Sequence, residues 1–79
     1  MDLAGNGERH ETLPTLGEIE RWPASVDVAT AATAFGISRS YGYELVARGE
    51  FPAKVIQVGG RHRVVTDSII NALSDSAEL

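Results

Sequence analysis

The chain has 79 residues, 43% of them hydrophobic, no cysteine, and a formal net charge of −4 at pH 7. This length predicts one small domain with a net stability of about 3–5 kcal/mol. The absence of cysteine excludes disulfides, and the separation of His10 from His62 by 52 positions argues against a metal site.

Neither a membrane segment nor a secretion signal is predicted. No stretch approaches the ~20 apolar residues of a membrane span. The first ten residues lack a basic start followed by an apolar run. We therefore expect a cytoplasmic protein without a membrane partner.

The charges are distributed unevenly along the chain. Residues 1–21 contain five acidic and two basic side chains, and residues 75–79 contain two acidic ones. Residues 22–74 contain five basic and four acidic side chains. We therefore predict an acidic, disordered N-terminal tail (1–21), a slightly cationic folded domain (22–74) and an acidic C-terminal tail (75–79).

The first predicted elements are a short turn and an amphipathic helix. Residues 15–22 (TLGEIERW) allow a helical turn that ends at Pro23, with Trp22 more typical of a core anchor than of a base-stacking platform. In residues 27–36 (DVATAATAFG), Asp27 fits an N-cap. Apolar residues follow at helical spacing, namely Val28, Ala31, Ala32 and Phe35.

A second short helix is predicted in residues 37–49 (ISRSYGYELVARG). Ser38 is its expected N-cap and Gly49 its end, and Gly42, Leu45 and Val46 form its inner face. Only about two or three residues separate the two helices, which is the sequence form of a helix-turn-helix.

A β-hairpin and a last helix complete the predicted order. The β-branched runs VIQV and RHRVV flank Gly59-Gly60, a dipeptide that suits a two-residue hairpin turn. Thr66 is the expected N-cap of the last helix, which turns Ile69, Ile70 and Leu73 inward. The predicted fold class is α+β, mostly α.

The second helix is the first candidate binding element. Arg39 and Ser40 lie in its first turn, where free N–H groups and the helix dipole favour phosphate. In a helix-turn-helix these positions enter the major groove, where arginine pairs with guanine. The alternative is a solvated face with a capping serine, and Tyr41 and Tyr43 suit either DNA contacts or cover for the core edge.

The hairpin is the second candidate. Arg61 and Arg63 point to one face of a strand and His62 to the other. Paired arginines fit a strand that lies on a phosphate backbone or probes a minor groove. The alternative is an edge hairpin whose charges prevent aggregation. Because the hairpin directly follows the helix pair, the combination favours DNA binding.

Enzymatic activity is not predicted. The sequence brings no Ser, His and Asp together as a triad, so no catalytic residue is assigned. Gly59-Gly60 lacks the lysine and Ser/Thr of a phosphate-binding loop, and no cofactor is expected.

Two segments carry a family resemblance: AATAFGISRSYGYELVARGEFP and VGGRHRVVTDSI. They resemble the small MerR-like winged-helix excisionases, or recombination directionality factors, of actinobacterial phages and integrative elements. The resemblance covers roughly residues 25–73. It implies a winged helix-turn-helix that binds and bends double-stranded attachment-site DNA, often as several copies side by side. It also implies contact with a phage-type integrase, so that recombination runs toward excision.

Carried over by position, the resemblance implies a set of DNA contacts. They are Ser38, Arg39, Ser40 and Tyr43 on the recognition helix, Arg61, His62 and Arg63 on the wing, and Lys54 on the adjoining strand, against the DNA backbone.

Two positions depart from the family pattern. Gly42 replaces an apolar core residue, and Glu44 stands where a basic residue is usual. Two other functions stay open, the first because many small regulators share the same domain. One is a small winged-helix transcription regulator of a mobile element. The other is a protein-interaction module that has lost DNA binding, which Glu44 and the acidic tails favour.

Overall fold

The computed structural model describes residues 13–77. Within them, four helices and three strands form a small α+β structure, which confirms the predicted class. The elements in chain order are α1 (Leu16–Ile19), β1 (Ser25–Asp27), α2 (Val28–Ala34), α3 (Arg39–Ala47), β2 (Val55–Val58), β3 (Arg61–Val65) and α4 (Thr66–Ala77). None of these helices has the length and apolar character needed to cross a membrane.

The strands form one antiparallel sheet in the order β1-β3-β2. The predicted hairpin is present, and Gly59 and Gly60 both have positive φ angles, 57° and 81°, as its two-residue turn requires. The sequence predicted only these two hairpin strands, and the structure adds a third, because β1 pairs with the other side of β3. Three residues are too few to show the alternation that identifies a strand in a sequence.

The core lies between the sheet and the helices. Its buried apolar residues come from five of the elements and are Ile19, Val26, Val28, Ala31, Val64 and Ile69. Trp22 packs against this cluster, as expected of a core anchor. A small core of this kind leaves little surplus stability, so each of these side chains matters.

The folded unit begins before residue 22, which corrects the predicted boundary of the N-terminal tail. Thr15 and Glu18 form a reciprocal capping box at the start of α1. Ile19 follows with no exposed surface. The helical turn predicted in residues 15–22 is present as α1, and Ile19 is the residue through which it joins the core. The rest of the predicted tail, residues 1–12, lies outside the described residues.

The last helix also differs from its prediction at both ends. It extends through Ala77, so the predicted boundary at residue 75 falls within a helix; residues 78–79 lie outside the described residues. Thr66 is its first residue rather than its N-cap, because β3 continues directly into α4. The Thr66 side chain, only 4% exposed, instead donates a hydrogen bond to the Pro23 carbonyl.

The helix pair has the predicted caps and an unusually close contact. Asp27 Oδ1 accepts a hydrogen bond from the Thr30 amide at 2.8 Å. Ser38 Oγ accepts one from the Tyr41 amide at 3.1 Å. Gly42 is buried where α3 meets α2, and a Cβ atom there would lie 3.1 Å from the Ala32 Cβ. Glycine therefore permits the approach of the two helices.

Candidate nucleic-acid interface

A groove of about 320 Å³ brings together residues from β1, α3 and the β2–β3 hairpin. The residues that line it are Asp27, Tyr43, Gly60, Arg61, His62 and Arg63. Four of the six were predicted as DNA contacts, and the structure places them at one site.

Helix α3 contributes Tyr43 and, one turn earlier, Arg39. The guanidinium carbon of Arg39 lies 6.0 Å from the centroid of the Tyr43 ring, within the range of a cation–π contact. Both side chains are exposed. The contact keeps the charge of Arg39 next to a residue that lines the groove.

The hairpin contributes two arginines that differ in exposure and in hydrogen bonding. Arg61 is exposed at the tip and lies opposite Val58. Arg63 is half-buried, and its Nε and Nη2 atoms donate to the Oγ and carbonyl oxygen of Ser25 at 3.1 and 2.8 Å. Both acceptors belong to Ser25 and are uncharged, so β1 fixes the orientation of Arg63 through neutral hydrogen-bond partners.

Asp27 is the groove residue that the sequence did not reveal as part of a site. It was predicted as the N-cap of α2, and it fills that role, but it also lies opposite Arg63 in the β1–β3 register. The pKa of its carboxyl is lowered from 3.8 by hydrogen bonds from Thr30 and by the charges of Arg63 and Arg39, against the opposing effect of desolvation. Asp27 is therefore ionised at neutral pH. The stability that its carboxylate adds is lost only as the pH falls through this lowered value.

The remaining predicted site residues do not line the groove. Ser38 is engaged as the cap of α3, and Ser40 is exposed in the first turn of that helix. Lys54 precedes β2 instead of lying on it, which corrects the predicted placement on a strand. Its amide donates to Ser68 Oγ at 2.8 Å, which fixes its backbone against α4.

The C-terminal end of α3 is negatively charged, in contrast to its N-terminal end, where Arg39 lies. Arg48 donates to Glu44 at 3.0 Å and to Glu50 at 2.8 Å. Since one guanidinium faces two carboxylates, this end of the helix is acidic. The positive charge of α3 is concentrated at Arg39, at the other end of the helix.

The groove presents groups that can bind charged or hydrogen-bonding partners. Guanidinium groups match phosphate oxygens and the guanine edge, whereas a carboxylate accepts a hydrogen bond from a base amino group. Within residues 13–77, no three His, Asp or Glu side chains converge as metal ligands.

Comparison with known proteins gives no assignment. No family model matches the chain, and neither a curated protein nor a solved structure is significantly similar to it. Any assignment of function must therefore be argued from the groove itself and from the sequence.

Proposed function

We propose that this chain is a winged helix-turn-helix protein that binds double-stranded DNA. In this proposal α2 and α3 form the helix-turn-helix, α3 is the recognition helix and the β2–β3 hairpin is the wing. The observation that carries the proposal is the convergence of Tyr43 from α3 with Arg61 and Arg63 from the hairpin at one groove, with Arg39 next to the Tyr43 ring.

The two sides of the groove would make different contacts. Arg39, in the first turn of α3, suits guanine edges in the major groove. Arg61 at the hairpin tip suits phosphates or an adjacent minor groove. Arg63, fixed by Ser25, would approach DNA at low entropic cost because its orientation is already set.

Within this class we propose an excisionase that binds and bends attachment-site DNA in the cytoplasm and directs a phage-type integrase toward excision. The support for this finer proposal is the sequence resemblance over residues 25–73. A transcription regulator of a mobile element would use the same groove but a differently arranged target.

Selection of bound sequences from a random duplex pool, at moderate and raised salt, tests these proposals together. Direct repeats spaced by about one helical turn would support side-by-side copies on an attachment site. An inverted repeat would indicate a symmetric dimer, and hence the regulator. If no sequence is enriched and binding disappears with modest salt, DNA reading is excluded and a protein partner becomes the better explanation.

Arg39→Ala is expected to weaken binding to the selected duplex about tenfold or more, since one arginine–guanine pair contributes about 1–3 kcal/mol of discrimination. Binding to a random duplex should weaken much less. Arg48→Ala is the matched control, because it removes the same charge from the acidic end of the same helix. This variant should weaken binding to both duplexes by a similar small factor. Equal behaviour of the two variants on both duplexes would exclude Arg39 as a base contact.

The salt dependence of binding should be shallow. The cations at or near the groove and hairpin are Arg39, Lys54, Arg61 and Arg63. With at most four phosphate contacts for each bound monomer, the slope of log K against log salt should have a magnitude of about 4 or less. Titration at several salt concentrations measures this slope. A much steeper value for a demonstrated monomer would contradict this charge assignment.

A further inference from the structure

One residue of the groove carries a negative charge, which disfavours the binding of a polyanion such as DNA. Asp27 is the single carboxylate among the six lining residues, and it is exposed. A carboxylate in this position repels every phosphate that approaches the adjacent arginines. A groove built only for nonspecific attraction would be expected to lack it.

The capping role of Asp27 does not require its charge. Its Oδ1 atom accepts the amide hydrogen bond of Thr30, and asparagine caps helices about as well as aspartate. A neutral asparagine would therefore keep the cap, while the charge itself adds the stability that comes from Arg63 and Arg39.

Within residues 13–77, the carboxylate of Asp27 takes part in no ion pair. Among residues 13–77, the ion pairs within 4.0 Å join Arg48 to Glu44 and Glu50. The two arginines whose charges act on Asp27 make their closest contacts with other residues. Arg63 donates to Ser25, and Arg39 lies over the ring of Tyr43. The carboxylate of Asp27 thus lies in the groove with Arg63, close enough to Arg63 and Arg39 for their charges to lower its pKa.

We infer that Asp27 is a specificity-determining residue of the interface: its carboxylate repels the phosphate backbone and accepts a hydrogen bond from the amino group of a cytosine presented to the groove. This inference rests on the proposed DNA-binding function. Cytosine presents its N4 amino group in the major groove, and carboxylates are its usual partners. A correct base thus compensates for the repulsion, whereas a wrong base or a phosphate does not, so Asp27 lowers nonspecific affinity more than specific affinity.

Asp27→Asn tests this role, because it keeps the cap and the shape and removes only the charge. The dissociation constants of the wild type and the variant are measured at one salt concentration, on the selected duplex and on a random duplex of equal length. Affinity for the random duplex should rise about three- to tenfold, as expected for the loss of one repulsive charge near a phosphate. Affinity for the selected duplex should rise less or fall. The specificity ratio, which is the affinity for the selected duplex divided by that for the random duplex, should therefore drop at least about threefold.

Glu20→Gln is the matched control, since it removes a negative charge from an exposed residue at the end of α1 that does not line the groove. It should leave the specificity ratio unchanged. Repeating the selection with Asp27→Asn should also abolish a cytosine preference at one position of the site.

The outcomes separate the two proposals. Specific binding by the wild type with an unchanged ratio in Asp27→Asn would overturn the role of Asp27 alone. An equal gain on both duplexes would do the same, because it would mean uniform repulsion. No binding of any duplex by the wild type would overturn the proposed function, and this inference with it.

Discussion

Ile19→Ala is expected to lower the free energy of unfolding by about 2–4 kcal/mol, the usual cost of truncating a fully buried isoleucine. Ile19 has no exposed surface and belongs to the core cluster, although it lies in a region whose composition predicts a tail. For a domain of this size the loss approaches the whole of its stability. Chemical denaturation followed by circular dichroism measures the change.

Leu16→Ala provides the control for this prediction. Leu16 lies in the same short helix, but its side chain is 42% exposed. Its truncation should cost less than about 1 kcal/mol, because little apolar area is lost from the interior. If both variants unfold at the same denaturant concentration, α1 does not anchor the domain, and the predicted boundary at residue 22 would be correct after all.

Gly42→Val is expected to destabilise the domain by about 1–3 kcal/mol or to prevent folding. A Cβ atom alone would lie 3.1 Å from the Ala32 Cβ and 3.5 Å from Val28 Cγ1, so the two further methyl groups of valine have no space unless α2 and α3 separate. Thermal unfolding followed by circular dichroism measures the loss.

Ala47→Val is the matched control for Gly42→Val. Ala47 is exposed in the last turn of the same helix. The variant should therefore lose less than about 1 kcal/mol of unfolding free energy, from the lower helix propensity of valine alone. If Gly42→Val were as stable as Ala47→Val, the contact between α2 and α3 could not be as close as described. Glycine at position 42 would then have no structural role.

The features that the sequence predicted correctly are local ones. The caps at Asp27 and Ser38 depend on residues three positions apart, and the hairpin turn depends on adjacent glycines. Strand geometry alone predicts one face for Arg61 and Arg63, and both line the groove, although His62, predicted for the other face, lines it as well.

The features that the sequence missed depend on contacts between distant segments. Strand β1 exists because it pairs with β3, and no three-residue pattern reveals such pairing. The hydrogen bonds from Arg63 to Ser25 follow from that pairing. So does the place of Asp27 in the groove, since only the sheet register brings it opposite Arg63.

The central position of β3 has a consequence for the order in which the domain folds. The β2–β3 hairpin closes over two residues, whereas β1 must reach β3 across a separation of 38 residues. Closing the longer loop costs about 2–3 kcal/mol more conformational entropy, so docking of β1 belongs to the late, slow part of folding. Until β1 docks, Asp27 is held only by its cap on α2, and its register opposite Arg63 and the hydrogen bonds from Arg63 to Ser25 are not yet formed. The complete groove is therefore among the last features to form on the folding pathway.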